Sequence, residues 1–503
     1  MVPESIKHFI GGRPANSSYR KTFGAHDPAT GKEYTRVEVG VGADINQAVL
    51  AARAAHEAAP WASLPAAERA GILERIATGI DSRAVQIADF EALGTGLPVT
   101  QAREQAARAA ACFRLAAGVI TGPRATGRHE DDPACSPGQS GYTLRRPAGV
   151  AGAVTSWRAP FLAQARAVAP ALAAGCAVVL LVDPWTPLSA ALLPEITTEA
   201  GLPGGVLNIV HGTGNWQGTP GAGAGSAGTG ARPALVAHPG VPVLAFAGDD
   251  AAAEQVARDA ASRGKRLSAD VAGHSPGVIF TDADLDRATD SAQFGAFALN
   301  GGRRTGTARI LAERPVYEAV ISRLAAAASA IRVGSPADPA TEVGPLVHAE
   351  HYERVMSRVR RGVRDGARLA AGGSRPAGLA DGNYLAATVL ADVTREMPIF
   401  QEVISAPVLC VTAFDTEEEA ITLASALASS ALASSAAYLW TPDQDRAHRV
   451  ALAINAAMTW VNSHNPDDLR TAGDGHDIQH AVDFYTRSAA IHISADGDPA
   501  PAL

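Results

Sequence analysis

Apolar runs alternate with amphipathic stretches through the middle of the chain, between residues 148 and 262. The alternation predicts, in order, strand 148–155, helix 161–174, strand 177–182, helix 187–200, strand 205–210, strand 242–247 and helix 250–262. Strands that are apolar almost throughout, joined by helical crossovers, are typical of a parallel sheet covered on both faces. We therefore predict a doubly wound α/β unit in this region.

A second alternation begins at Pro276 and continues with helices around 284–299, 315–331 and 347–365. Ala-rich segments at 46–59 and 65–117 precede the first alternation, and their spacing predicts further helices. The Ala/Ser stretch 421–436 is interpreted as packed helix. The fold class predicted from the pattern is α/β, with two doubly wound parallel sheets.

Two segments break this pattern. Residues 123–145 are rich in Gly, Pro and charge and predict an exposed loop or hairpin. Residues 212–232 are low in complexity and open with Gly212-Thr-Gly214 after a strand. Because Gln217 occupies the place of the third glycine of a phosphate loop, a surface insertion is the preferred interpretation.

Composition and charge narrow the classes of function. The 503 residues are 47% hydrophobic and 19% charged, with a net charge of −8. This composition indicates a large core and disfavours nucleic acid or an anionic membrane as partner. The four cysteines form no C-x-x-C pair, so we expect a cytoplasmic protein with neither disulfides nor a metal site.

Nine segments, in order along nearly the whole chain, resemble the aldehyde dehydrogenase superfamily. They are Ile6–Gly12 (IKHFIGG), Pro147–Trp157 (PAGVAGAVTSW), Ala169–Gly175 (APALAAG), Thr186–Ser189 (TPLS), Ala200–Asn208 (AGLPGGVLN), Asp282–Asp286 (DADLD), Gly344–Leu346 (GPL), Pro407–Leu409 (PVL) and Trp460–Asn462 (WVN).

The resemblance implies an aldehyde dehydrogenase-like fold with a Rossmann-like cofactor-type domain, a catalytic-type α/β domain and a small β oligomerisation arm. The implied boundaries are 1–128 with 148–271 for the first domain, 272–475 for the second, and 129–147 with 485–503 for the arm. A homodimer or homotetramer is the assembly that this arm implies.

The resemblance also marks the positions of the catalytic groups. The family's N-Q-G-Q-x-C reads Asn300-Gly-Gly-Arg-Arg-Thr305, which places Thr305 where the nucleophilic cysteine is expected. An alcohol without an activating base is almost wholly protonated at neutral pH. Arg158 stands at the position of the oxyanion-binding Asn, and Asp270 at that of the general base Glu.

The family's cofactor positions differ as well. Leu181 stands where a Lys grips the adenosine ribose, and Asp249 stands where the pyrophosphate meets a helix N-terminus. Val403 and Ser405 occupy the positions of the nicotinamide-ribose Glu and its following Phe. These differences predict that no cofactor is bound, with NAD(P) as the alternative.

Taken together, the substitutions predict a chain that does not oxidise aldehydes with NAD(P). The prediction is a pseudoenzyme, or a repurposed protein that binds or transforms a small molecule, with an anionic metabolite as candidate ligand. The alternative is a functional NAD(P)-dependent aldehyde dehydrogenase, an oxidoreductase with an unusual active site. Whether the chain is an enzyme stays open at this point.

The replaced site is rich in arginine, and two interpretations of it are open. Arg158 is expected either to pair with Asp270 and fill the tunnel, or to help form an anion site. Arg303 and Arg304 are expected to face solvent in the first case and the ligand in the second. In the second case, Asp270 or His274 would transfer a proton.

Overall fold

The structure is a computed structural model that describes residues 1–58, 61–122, 139–212, 230–273, 275–428, 433–434, 436–464 and 477–494. His274 and residues 213–229 lie outside the described residues. No helix within the described ranges is both long and apolar enough to cross a bilayer.

The strands of the described residues are β1 (Ser5–Ile6), β2 (His8–Ile10), β3 (Arg13–Ala15), β4 (Thr22–His26), β5 (Glu33–Glu38), β6 (Gln139–Pro147), β7 (Val150–Val154), β8 (Ala177–Val182), β9 (Leu207–His211), β10 (Val243–Gly248), β11 (Arg266–Ala272), β12 (Pro276–Ile279), β13 (Arg309–Glu313), β14 (Arg368–Ala371), β15 (Thr388–Ala391), β16 (Val408–Phe414), β17 (Ala433–Ser434), β18 (Ala436–Trp440), β19 (Met458–Val461) and β20 (Thr486–Ser494).

The α-helices are α1 (Gly42–Ala58), α2 (Ala66–Ser82), α3 (Ala84–Thr95), α4 (Val99–Thr121), α5 (Pro160–Ala173), α6 (Leu193–Glu199), α7 (Ala231–Ala237), α8 (Asp250–Ala261), α9 (Leu285–Phe297), α10 (Tyr317–Ala330), α11 (Ala349–Arg364), α12 (Pro398–Gln401), α13 (Glu417–Ala428), α14 (Gln444–Ala453) and α15 (Ile478–Phe484).

The first large sheet has eight strands in the order β17-β11-β10-β7-β8-β9-β2-β3. Its centre is parallel, and β7 and β8 are buried along their whole length. This confirms the predicted doubly wound unit, because α5 links β7 to β8 as a crossover. Side chains pack on both faces of this sheet in two separate apolar clusters. This packing explains why the sequences of β7 and β8 are uninterrupted apolar runs.

The second large sheet has seven strands in the order β14-β15-β16-β13-β12-β18-β19, parallel except for β14. Helices α9 and α10 pack on one face, and α11 and α13 on the other. The predicted α/β class with two doubly wound sheets is therefore confirmed.

The long Ala-rich region 65–117 forms three helices. Helix α3 ends at Thr95 and is capped by Gly96, whose φ of 78° is the left-handed conformation that glycine adopts at helix C-termini. A Cβ at Gly96 would also lie 2.4 Å from the Pro345 carbonyl oxygen, so the second domain approaches the helix end closely here. Pro98 then precedes α4, since proline is tolerated at a helix start.

The prediction for 421–436 is wrong in its second half. Helix α13 ends at Ala428, and Ala433–Ser434 instead forms β17, the edge strand that pairs with β11 of the first sheet. Ala and Ser carry no strong strand preference, so nothing in the local pattern indicated this pairing.

Strands β6 and β20 form a separate antiparallel ribbon, with register from Thr486 opposite Pro147 to Ser494 opposite Gln139. Residues 139–145 were predicted as loop or hairpin and are extended here. The partner strand comes from the other end of the chain, so this ribbon is not a local hairpin.

The side chain of Glu91, on α3, accepts a hydrogen bond from a backbone amide in the first turn of α5. Its Oε1 accepts hydrogen bonds from the Phe161 amide at 2.9 Å and from the Ser189 hydroxyl at 3.0 Å. Ala159, the N-cap residue itself, supplies no side-chain bond. Burial raises the pKa of Glu91 from 4.5 to about 7.

We expect Glu91→Gln to remove part of the pH dependence of stability. A carboxyl whose pKa is raised in the folded state costs stability as the pH rises through the interval 4.5–7. At pH 8, the amide avoids a burial penalty on the order of 3 kcal/mol, while its oxygen still accepts both bonds. Urea unfolding of both proteins between pH 5 and 8 measures the difference. Asp89→Asn, at an exposed position of the same helix, is the control, and equal pH slopes for wild type and Glu91→Gln would contradict the assignment.

Candidate active site

A crevice forms where the carboxyl ends of β7 and β10 meet loops of the second sheet. Open α/β sheets bind ligands at such carboxyl edges. Five of the residues singled out from the sequence line one small cavity of about 70 Å³ in this crevice, which we call the reaction cavity: Arg158, Asp270, Arg303, Arg304 and Thr305.

Thr305 lies at the inner end of the 300–305 loop and is 1% exposed. Its carbonyl oxygen accepts a hydrogen bond from the Tyr438 hydroxyl at 2.7 Å, which anchors this residue to β18. The backbone of Thr305 is therefore fixed beside the cavity that this residue helps to line.

Asn300 holds the loop rather than lining the cavity. Its amide nitrogen donates to the carbonyls of Gly96 and Pro345 at 2.9 and 3.2 Å, and its Oδ1 accepts from the Gly344 amide at 2.8 Å. Asn300 and Leu299 both adopt left-handed backbone conformations, with φ of 54° and 55°. Such conformations cost free energy, and they are found where the surroundings fix a functional loop.

The ion pair seen at Asp270 involves Arg304, with 3.8 Å between Oδ1 and Nε. The hydrogen bonds of Arg158 go elsewhere: Nε donates to Ser405 Oγ at 3.1 Å and Nη1 to the Gly248 carbonyl at 3.2 Å. The expected pairing of Arg158 with Asp270 is therefore not what the structure shows.

Arg158 instead spans the crevice from the end of β10 to the 402–407 loop. Its guanidinium also lies 5.1 Å from the Trp157 ring centre, a cation–π contact. Burial lowers the pKa of Arg158, and the nearby carboxylates of Asp249 and Asp270 oppose that shift. The side chain thus links the first sheet to the 402–407 loop by hydrogen bonds, while the carboxylates that act on its charge lie on the side of the first sheet.

Arg303 and Arg304 are both partly buried, so neither is a simple solvent-facing side chain. Arg303 lies over the Phe294 ring at 4.5 Å, on the wall of a wider outer cavity of about 690 Å³ that Arg108 also lines. The side chain of Arg304 is 17% exposed and faces Asp270. The two arginines therefore serve different parts of the site.

The four cofactor positions named from the sequence have different surroundings. Leu181 is 2% exposed and belongs to the apolar cluster on one face of the first sheet, and its side chain offers no hydrogen-bonding group to a ribose. Asp249 is the N-cap of α8, where its Oδ1 accepts from the Ala252 amide at 2.9 Å. The Val403 carbonyl accepts from Arg358 Nη1 at 2.9 Å, and the Ser405 carbonyl lies 2.7 Å from His351 Nε2.

Sequence reasoning missed Asp183 and Asp250 as candidate cofactor ligands. Asp183 directly follows β8, and burial raises its pKa to about 7. Burial and the neighbouring Asp249 raise the pKa of Asp250. An acidic residue at the end of the strand after a βα crossover is a general dinucleotide signal that could have identified Asp183.

The residues of this crevice fit a dinucleotide in chemical type. Asp183 Oδ2 and Asp250 Oδ1 are buried acceptor atoms without a hydrogen-bond donor among the described residues. Burial lowers the pKa of both Arg158 and Arg232, and the negative charges of Asp183 and Asp249 act to raise it. Ribose hydroxyls would satisfy the carboxylates, and guanidiniums suit a pyrophosphate. Arg232 lies at the edge of the low-complexity segment, where no sequence pattern marked it.

Comparison with known proteins identifies the class of this fold and site. The profile of the aldehyde dehydrogenase family matches residues 15–476, so the chain belongs to that family. The chain is 36% identical to 2-hydroxymuconic semialdehyde dehydrogenase of Pseudomonas sp. (strain CF600), over 97% of this chain and 99% of that protein. It is 38% identical to 5-carboxymethyl-2-hydroxymuconate semialdehyde dehydrogenase of Escherichia coli, over 94% and 96%.

Solved structures agree with this assignment. HpcC from Thermus thermophilus superposes with a TM-score of 0.90 at 38% identity, over 99% of this chain and 95% of that one. The NAD+ complex of aldehyde dehydrogenase from Bacillus cereus superposes with a TM-score of 0.89 at 31% identity, over 98% and 97%. The predicted aldehyde dehydrogenase-like fold is confirmed.

These relatives correct two predictions made from the sequence. The prediction of a pseudoenzyme, or of a repurposed protein without aldehyde oxidation, is wrong, because relatives matched over nearly their whole length are named as semialdehyde dehydrogenases. The prediction that no cofactor is bound is also wrong, because the relatives are dehydrogenases and one matched structure is an NAD+ complex. Both corrections favour the alternative of a working enzyme with NAD(P).

Proposed function

We propose that this protein is an NAD(P)-dependent dehydrogenase that oxidises a semialdehyde, meaning an aldehyde that also carries a carboxylate, to the corresponding diacid. The observation that carries this proposal is the full-length similarity to two semialdehyde dehydrogenases at 36% and 38% identity. The arginine-lined reaction cavity supports it, because guanidiniums bind carboxylates.

We assign the role of nucleophile to Thr305, which makes this chain a divergent member of the family. Asp270, in the same cavity, accepts the hydroxyl proton while the threonine oxygen bonds to the aldehyde carbon. NAD(P) in its oxidised form, when bound, would supply the hydride acceptor. Asp270 then passes the hydroxyl proton to solvent. Once the substrate is oxidised to an ester of Thr305, Asp270 takes a proton from water, whose oxygen bonds to the ester carbon as the bond from that carbon to the Thr305 oxygen breaks. The Thr305 oxygen regains a proton and the acid is released. Arg304 supplies positive charge near the oxygen on which negative charge develops.

Four side chains are the candidates to hold the dinucleotide. Arg158 and Arg232 would bind the pyrophosphate, and Asp183 and Asp250 the ribose hydroxyls. This set replaces the family positions at which Leu181 and Val403 now stand. A cofactor site with carboxylates beside the phosphates binds more weakly than one without them.

We propose the domain boundaries that the resemblance implied: 1–128 with 148–271, 272–475, and 129–147 with 485–503. We also propose a homodimer or homotetramer built through the ribbon of β6 and β20. Within the described part of the chain the ribbon has only these two strands, and the outer edge of such a ribbon can pair with a strand of another subunit, which supports this role. Light scattering of the purified protein tests it, since a monomeric mass would contradict the assembly.

The activity is tested with purified protein, adipate semialdehyde and either NAD+ or NADP+. We expect absorbance of the reduced nicotinamide to rise with time and in proportion to protein, and adipate to form in equal amount. The Thr305→Ala variant, purified in parallel, controls for contaminating host dehydrogenases. If neither dinucleotide is reduced with any of a series of semialdehydes, the proposed function is wrong.

A further inference from the structure

Helix α4 turns one face towards the outer cavity. Residues 101, 104, 105 and 108 have the i, i+3, i+4, i+7 spacing of one helix face, and all four line that cavity. Phe294 lines it too and is 47% exposed, so the outer cavity reaches the protein surface. Of the four helix positions, only Gln105 also lines the reaction cavity. Gln105 therefore lies where the two cavities meet.

Among the described residues, Gln105, Leu299 and Arg303 line both cavities, and we call these three residues the neck. A substrate that reaches Thr305 from the outer cavity passes the neck, and the part of its chain beyond the aldehyde lies there. Leu299 offers an apolar side chain, and the guanidinium of Arg303 lies over the Phe294 ring at 4.5 Å. Gln105 is the neutral side chain of the neck that can both donate and accept a hydrogen bond.

The amide of Gln105 is not used by the protein itself. Gln105 is 3% exposed, and its side chain makes no hydrogen bond to any other described residue. Gln101, one turn earlier, shows the contrast, because its Oε1 accepts from the Leu299 amide at 2.6 Å and its Nε2 donates to the Glu342 carbonyl at 2.7 Å. A buried amide without a partner costs free energy. At the meeting point of two cavities, a ligand is the group that can supply the missing partner.

We infer that Gln105 is a specificity-determining residue that binds a hydroxyl group on the carbon chain of the substrate. This inference rests on the proposed function and narrows the substrate to a hydroxylated semialdehyde. A hydroxyl group uses both ends of the amide, because it donates to Oε1 and accepts from Nε2. A methyl group in the same place leaves both ends unpaired. The protein therefore distinguishes a hydroxyl group from a methyl group of nearly the same size.

Two matched pairs of diacids, which are products of the proposed reaction, test this preference by calorimetric titration. They are 2-hydroxyadipate with 2-methyladipate and 3-hydroxyadipate with 3-methyladipate, and together they place the substituent on every carbon between the carboxyl groups. We expect wild-type protein to bind the hydroxy member of at least one pair about tenfold more tightly, and Gln105→Leu to lose that preference. Equal wild-type affinities within both pairs, or a preference that survives in Gln105→Leu, would overturn the inference.

Two controls separate a binding role from a structural one. Gln47→Leu makes the same change at an exposed position of α1 that lines neither cavity, and it should keep the wild-type preference. Gln105→Leu should unfold at or above the wild-type temperature, because it removes a buried amide that has no internal hydrogen bond. A large fall in the unfolding temperature would show a structural role for Gln105 and count against the inference.

Inhibition of adipate semialdehyde oxidation by the same diacids shows whether the hydroxyl site lies on the path of the substrate. We expect inhibition that is competitive with the aldehyde, with inhibition constants in the calorimetric order, and non-competitive inhibition would contradict the inference. If the hydroxyl preference depends on Gln105 but no aldehyde is oxidised, the proposed function fails and the hydroxyl site stands. If the aldehyde is oxidised and the preference does not depend on Gln105, the hydroxyl site fails and the proposed function stands.

Discussion

Thr305→Ala is expected to lower dinucleotide-coupled oxidation of a semialdehyde by a factor on the order of a thousand or more. Removing a nucleophile leaves only the contribution of binding and electrostatic stabilisation. Thr305 is buried beside the reaction cavity, and its backbone is anchored by Tyr438. The variant deletes the hydroxyl without disturbing that anchor, so kcat should fall while the affinity for the dinucleotide stays at the wild-type value.

Thr305→Ser is the matched variant, because it keeps the hydroxyl and loses only a methyl group. It should retain aldehyde oxidation within about tenfold of wild type. Steady-state formation of reduced dinucleotide, with the unfolding temperature of each variant measured in parallel, provides the comparison. If Thr305→Ala oxidises the semialdehyde at the wild-type rate, the nucleophile lies elsewhere.

The fold could be predicted from sequence where burial alone determines the pattern. Strand β8 was predicted at 177–182 and is found at Ala177–Val182, because it is covered on both faces and therefore apolar throughout. The prediction failed where partners are distant in sequence. Strand β17 consists of two small residues, and only its pairing with β11 makes it a strand.

Part of the lining of the reaction cavity was named from the sequence, but the contacts of those residues were not. Arg158, Asp270 and Thr305 do line one cavity, as expected from the resemblance. The partners of Arg158 could not be predicted, because the guanidinium reaches Ser405, 247 residues away in sequence. A long side chain has many rotamers, and tertiary structure selects among them.

The wrong prediction of a pseudoenzyme came from weighing the lost family residues without considering which other groups of the crevice could replace them. Leu181 cannot bind a ribose, but Asp183 lies two residues further on with a buried, unsatisfied oxygen. Arg232 places positive charge near Asp183 and Asp249, at a position outside the family motifs. Binding depends on the groups present in the crevice and not on which position supplies them. Loss of several motif residues therefore does not by itself imply loss of the cofactor.

Asp270→Asn should lower kcat by a factor of about a hundred to ten thousand, the usual range for removing a general base. Asp270 shares the reaction cavity with Thr305, and its Oδ1 lies 3.8 Å from Arg304 Nε. The amide fills the same space but cannot accept the hydroxyl proton. The loss should therefore appear in kcat, with little change in the affinity for dinucleotide or adipate.

The pH dependence separates a base from a merely structural carboxylate. We expect the acidic limb of the kcat/KM profile to be present in wild type and Asp270→Glu and absent from Asp270→Asn. Asp270→Glu keeps the carboxylate with one more methylene and should restore most of the rate. Asp259→Asn, at the solvent-facing end of α8, is the control for removing an acidic residue. A wild-type kcat in Asp270→Asn, or an acidic limb that persists in it, would assign proton transfer to another group.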